Sequence, residues 1–112
     1  MLASQQKGGM VLPDQASCPI ARAAAIVGNR WTLLILRDLC SGSRRFGELQ
    51  TSLAGISPKT LSDRLKTLER QGMVRRSEHR GAPVRVTYEL TAKGQGLLPV
   101  LESLRAFGET YL

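Results

Sequence analysis

The residues of this chain best equipped for chemistry are two cysteines, one histidine, and the arginine, lysine, serine and threonine side chains concentrated between residues 44 and 85. Cys18 stands immediately before Pro19, at the head of an apolar periodic segment. The positive end of a helix dipole favours thiolate there, and Arg22 follows four residues later. The same cysteine reads as a small, semi-buried apolar side chain, and the residues leave both readings open. Cys40 falls on the apolar stripe of the next segment, so packing is its first role and that of a resolving thiol its second. One histidine, His79, and two scattered cysteines do not supply the three or four clustered ligands of a zinc site, so neither metal nor cofactor is expected. The sequence has no glycine-rich phosphate loop, no histidine placed with a nucleophile and no paired carboxylates. An enzyme is not expected.

What remains is cationic and hydroxyl chemistry. Ser57, Lys59, Thr60, Ser62, Arg64 and Lys66 share one segment; Arg75, Arg76, Arg80 and Arg85 share the next, and Arg44 precedes both. Arginine and lysine donate to guanine edges and phosphate oxygens, while serine and threonine both donate and accept. Asp63 and Glu69 read as surface partners of nearby arginines, without a role of their own.

The chain has 112 residues, of which 42% are hydrophobic, enough for one core and not two. Its net charge of +7 favours a polyanion or an anionic membrane surface as partner. Residues 43–90 carry ten of the sixteen basic side chains and five of the nine acidic ones, so most of the excess sits in the middle. The longest uncharged apolar runs fall far short of the roughly 18 residues a membrane span requires, and no membrane partner is expected. Met1 to Val11 does not resemble a secretory signal, and the two cysteines make no disulfide framework; both point to the cytoplasm. Residues 1–17, rich in glycine and small polar side chains, read as a loose arm ahead of one domain over 18–112.

The elements that must position these groups follow from local signals. Pro19 opens a first helix carrying Ile20, Ala23, Ala24 and Val27, and Gly28-Asn29 reads as a left-handed stop. A second helix with Trp31, Leu34, Ile35, Asp38 and Leu39 on its inward stripe ends at Ser41-Gly42, with Trp31 expected in the core. After a short strand at Arg44-Arg45-Phe46, a third helix of about two turns presents Leu49 and Leu53. Ser57-Pro58 then caps a fourth, with Leu61, Leu65 and Leu68 inward and polar residues outward, closed by Gln71-Gly72. Residues 74–90 read as a hairpin: Val84, Val86, Tyr88 and Leu90 alternate with polar residues, and Arg75, Arg76, His79 and Arg80 are expected near a basic tip. Thr91 caps one final helix bearing Leu97, Leu98, Val100, Leu101, Leu104, Phe107 and Tyr111. That spread is wider than one core-facing stripe needs, which suggests a second subunit.

This order of elements predicts a mainly helical winged helix-turn-helix with a small β-hairpin, and the apolar spread of the last helix suggests that it is a dimer. Its expected partner is double-stranded DNA, with the fourth helix in the major groove and the hairpin on the backbone or minor groove. The runs Cys18-Pro19, Gly28 to Arg37, Arg45 to Leu49, Gly55 to Leu61, Leu65 to Glu69 and Val86 to Thr91 resemble the HxlR family of bacterial winged-helix transcription regulators over Cys18 to Tyr111. The resemblance implies a homodimer held by the first and last helices and DNA binding through the fourth helix and hairpin. In some members it implies response to oxidants or electrophiles through the Cys-Pro cysteine, which makes Cys18 the candidate redox sensor. Two alternatives stand beside it: a winged-helix interaction module, and a regulator whose small-molecule effector binds at the dimer seam.

Overall fold

The computed structural model describes residues 17–112; apart from Ser17, the expected N-terminal arm lies outside them. Helix α1 (Pro19–Val27) opens on its proline, whose missing N–H needs no acceptor at that position. It ends at Gly28, but not by the left-handed turn expected of Gly28-Asn29: Gly28 has φ −77°. Asn29 belongs to the next helix. Its side-chain oxygen accepts from the N–H groups of Trp31 and Thr32 at 2.9 and 3.2 Å, capping α2 (Arg30–Leu39).

Helix α2 buries Thr32, Ile35, Leu36 and Leu39. Trp31, expected in the core, is only half-buried: it packs against the core edge while the Arg30 guanidinium lies 4.5 Å from its ring centroid. Strand β1 (Arg44–Arg45) leads into α3 (Phe46–Ser52), where the Glu48 carboxylate accepts from the Arg45 N–H at 2.8 Å and so covers an otherwise unpaired donor of the helix start. Helix α4 (Pro58–Arg70) follows the expected design. Ser57 Oγ accepts from the Thr60 N–H at 3.0 Å, Leu61, Leu65 and Leu68 are fully buried, and Gly72, at φ 75°, turns the chain away.

Strands β2 (Val74–His79) and β3 (Arg85–Leu90) form the expected hairpin, with Val74 opposite Leu90 and His79 opposite Arg85. Val84, expected in the strand, lies beyond the last ladder pair and is exposed. The pairing of β1 with the free edge of β3 makes an antiparallel sheet of order β1–β3–β2. Tyr88 and Leu90 join the helical leucines, Met73 and Val74 in one core.

The single final helix expected after Thr91 is two: α5 (Ala92–Gln95) and α6 (Leu98–Tyr111). The break has a steric cause. In a continuous helix the Pro99 ring would clash with the carbonyl of Gln95, four residues back, so α5 stops at Gln95 and Pro99 sits in the first turn of α6. Thr91 caps α5 as expected, accepting from the Gly94 N–H at 3.1 Å, and its hydroxyl donates to the Gly72 carbonyl. Gly94 lies so close to the Met73 carbonyl that any Cβ would overlap it, and this is what lets α5 seat on the start of β2. Neither α1 nor α6 contains a buried residue; Ile20, Leu104, Phe107 and Tyr111 all stand exposed. No helix among the described residues is long and apolar enough to cross a membrane.

Candidate nucleic-acid interface

Helices α3 and α4 form the helix-turn-helix, joined by the turn Leu53–Ser57, in which Leu53 and Ile56 are buried. The inward leucines fix the rotation of α4 about its axis, and with it the side chains left facing outward. Lys59, Asp63, Lys66 and Arg70 project opposite the leucine stripe, at about 100° per residue. Ser62 and Arg64 lie on the flanks and are half-buried, as is Thr60, which receives a hydrogen bond from the Ser57 hydroxyl at 2.9 Å. The side chains of Arg64 and Lys66 have no hydrogen bond or ion pair among the described residues, so both keep their donors for a ligand.

Asp63 is not the arginine partner expected. Its Oδ2 accepts from Lys59 Nζ at 2.9 Å, one turn away. That hydrogen bond holds the Asp63 carboxyl below the usual carboxylate range, with the charges of Lys66 and Arg64 acting in the same sense, and it holds the Lys59 ammonium above its ordinary value.

Helix α4 packs along β2, so the wing adjoins it, but the hairpin arginines divide into two groups. Arg75 and Arg76, expected near a basic tip, lie at the base of the hairpin and are ion-paired, Arg75 with Glu89 at 2.7 Å and Arg76 with Glu78 at 2.9 Å. The hydrogen bond to Glu78, and after it the Tyr88 hydroxyl on the opposite strand, raise the Arg76 guanidinium above its ordinary value. Arg80 and Arg85 lie at the far end, exposed, their side chains with no ion pair or hydrogen bond among the described residues. His79 beside them is 2.9 Å from the Thr87 hydroxyl. Arg44 sits apart on β1, separated from β2 by β3, and its guanidinium folds back to Ser41 Oγ and the Ser43 carbonyl.

Cys18 is the residue preceding α1, half-buried, and its side chain makes no capping hydrogen bond. Cys40, expected in the core, is exposed. It follows the last residue of α2 and donates to the Leu36 carbonyl at 3.2 Å. It borders a groove of about 900 Å³ between α2 and α6, floored by Leu33, Leu34, Leu98, Leu101 and Leu104 and rimmed by Arg37, Glu102, Arg105 and Glu109. Partial burial, and after it the Glu102 charge, push the Cys40 thiol upward, and Arg105 only partly opposes this. Among the described residues no three His, Cys, Asp or Glu side chains come together as a metal site.

Asp63 was expected to face an arginine and pairs with Lys59 instead. The signal was present in its spacing of four from Lys59, which on a helix surface places the two side chains within reach of each other.

The HxlR-like helix-turn-helix family model matches residues 26–112 of this chain. An HTH-type transcriptional regulator of Synechocystis sp. is 41% identical over 95 residues, covering 85% of this chain and 70% of its own length. Among solved structures, a MarR-family transcriptional regulator from Porphyromonas gingivalis W83 superimposes with a TM-score of 0.86 at 34% identity, covering 92% of this chain and 100% of that one. The redox regulator HypR in its oxidised form gives a TM-score of 0.81 at 27% identity, over 85% of this chain and 98% of its own.

Proposed function

The chain belongs to the HxlR-like helix-turn-helix family, and on that premise we propose that it acts as a homodimer that reads a pseudo-palindromic stretch of double-stranded DNA. As a helix-turn-helix transcriptional regulator it binds DNA. In our reading α4 enters the major groove, where Ser57, Lys59, Thr60, Ser62, Arg64 and Lys66 are its contacts, and Arg80 and Arg85 of the wing meet the backbone or the adjacent minor groove. Arg75, Arg76 and Arg44, each already satisfied within the chain, contribute less. The observation that carries this reading is the pairing of an α4 whose inward face is fully buried leucine and whose outward face is wholly polar with a neighbouring wing whose end arginines are unpaired. A protein-binding version of the fold would present apolar side chains there.

Two copies joined through α1 and α6 would cover the apolar side chains that each chain leaves exposed. The half-site centres would then lie about 34–36 Å apart, or a multiple of that distance. The setting is the cytoplasm, where the DNA is. The test is fluorescence anisotropy with duplexes from the region flanking the protein's own gene, at several salt concentrations. The expected result is saturable binding to one segment, roughly a thousandfold or more tighter than to a scrambled duplex. Equal affinity for both duplexes, or none, refutes the reading.

A second reading adds thiol control. Cys18 begins the exposed helix of the proposed seam, and the similarity to a redox regulator supports a switch at this residue. Oxidation or alkylation there would shift α1 and so change the spacing of two recognition helices that must engage together. The test is DNA binding before and after peroxide or quinone, for the natural chain and for Cys18→Ser. An identical response from both refutes it.

A further inference from the structure

The Lys59–Asp63 pair stands on the outermost line of α4, with side chains 85% and 49% exposed. As a helix-stabilising pair it is a weak one. Lys59 is in the first turn, where the helix dipole disfavours a cation, and lysine before acid is the weaker of the two orders at this spacing. A carboxylate on a surface that meets phosphates is also repulsive unless it has a donor to bind. Asp63 lies two turns or less from the N-terminus of the helix, the end whose side chains reach base edges in helix-turn-helix proteins.

We propose that Lys59 and Asp63 act as one reading unit for a single G·C base pair, with Lys59 on guanine and Asp63 on cytosine. This rests on the reading of α4 as the major-groove helix. Lys59 Nζ and Asp63 Oδ2 are 2.9 Å apart, a donor beside an acceptor. The major-groove edge of a G·C pair presents the complement: guanine O6, an acceptor, is itself hydrogen-bonded to cytosine N4, a donor, so the two are about 3 Å apart. Lysine donates to O6 and N7 of guanine, and the carboxylate accepts the N4 hydrogen that base pairing leaves free. The ion pair persists, so neither charge loses its partner on docking.

Orientation follows from the same geometry. Reversing the pair to C·G sets ammonium against amino group and carboxylate against O6, donor to donor and acceptor to acceptor. A T·A pair offers an acceptor and a donor in the right order, but it places a methyl group near the ammonium and lacks the N7 acceptor on that side. The low carboxyl pKa of Asp63 keeps it an acceptor across the neutral range.

The test is selection from a duplex pool randomised over about two helical turns, using the full-length chain, Asp63→Asn and the double swap Lys59→Asp with Asp63→Lys. Circular dichroism checks that each variant is folded. The natural chain should select G·C at one position of each half-site, with a preference of about fivefold or more over the other pairs. Asp63→Asn, which can bridge adenine N6 and N7, should lose that preference and gain A·T at or beside the position. The double swap should select the reversed pair, C·G. If the natural chain selects a sequence and both variants select it unchanged, the reading unit is wrong although the DNA reading stands. If the natural chain selects no sequence, the underlying assignment of α4 fails as well.

Discussion

The Arg75 guanidinium lies 2.7 Å from the Glu89 carboxylate, and the two residues are direct register partners across the β2–β3 ladder. The pair neutralises the base of the wing and leaves the positive charge of Arg80 and Arg85 at its far end. Arg80→Ala should therefore weaken binding to most duplexes alike and reduce the slope of log affinity against log salt by about 0.9, the value for one phosphate no longer neutralised. Arg75→Ala should change that slope much less. Anisotropy titrations over a salt series read both, and equal slopes for the two variants would show that the ion pair does not hold Arg75 back.

Arg64 differs from the wing arginines in lying on α4, the helix proposed to enter the major groove, with its side-chain donors unengaged. Arg64→Ala should cost about 1–3 kcal/mol on the preferred site and relax discrimination at particular positions, as expected for a bidentate guanine contact. Competition between single-base variants of the preferred duplex measures this. A uniform loss across all of them would make Arg64 a backbone contact.

Ser57 accepts from the Thr60 N–H at 3.0 Å and gives α4 its N-terminal side-chain cap. Ser57→Ala should lower stability by about 1 kcal/mol, and Ser57→Asp should retain most of it. Urea unfolding curves decide, with an unchanged m-value expected for both.

The exposed pair Phe107 and Tyr111, with ring centroids 5.1 Å apart and planes tilted by 42°, belongs to the proposed seam. Phe107→Glu should convert a dimer to a monomer while leaving the core intact. Leu65→Ala, which empties a fully buried position, should instead destabilise the fold by about 2–5 kcal/mol. Light scattering beside thermal unfolding separates the two effects, and a natural chain that scatters as a monomer at micromolar concentration refutes the dimer.

Cys40, exposed as a residue, has its thiol pushed upward, first by partial desolvation of the sulfur and then by Glu102. A raised value means less thiolate at neutral pH, so iodoacetamide should modify Cys40 more slowly than a cysteine in an unfolded peptide. Glu102→Gln removes a raising charge and frees Arg105, now 3.4 Å from Glu102, to lower the value further. Both changes act in one direction: alkylation should become faster and its rate profile should move to lower pH. Mass spectrometry of timed quenches measures it; an unaltered profile would show that Glu102 does not reach the thiol.

The information carried by the residues alone is local. Pro19, Ser57-Pro58, Thr91 and the alternation through Leu90 specify where elements begin and of which kind, because caps, fixed φ angles and side-chain periodicity act within one or two turns of chain. The leucines of α4 likewise imply its outward polar face, so the face proposed here to meet DNA was legible from the residues, and so was the family membership that the motifs suggested. Folding in three dimensions settled what depends on pairing between distant residues. Arg75 is neutral in effect because the hairpin register sets it opposite Glu89, and Cys40 is exposed because α6 leaves a groove beside α2 instead of closing over it. The final helix divides where Pro99 forbids continuation and Gly94 seats against Met73, far back in the chain. Burial and charge neutralisation are properties of which faces meet, and that choice is made by the packed chain as a whole.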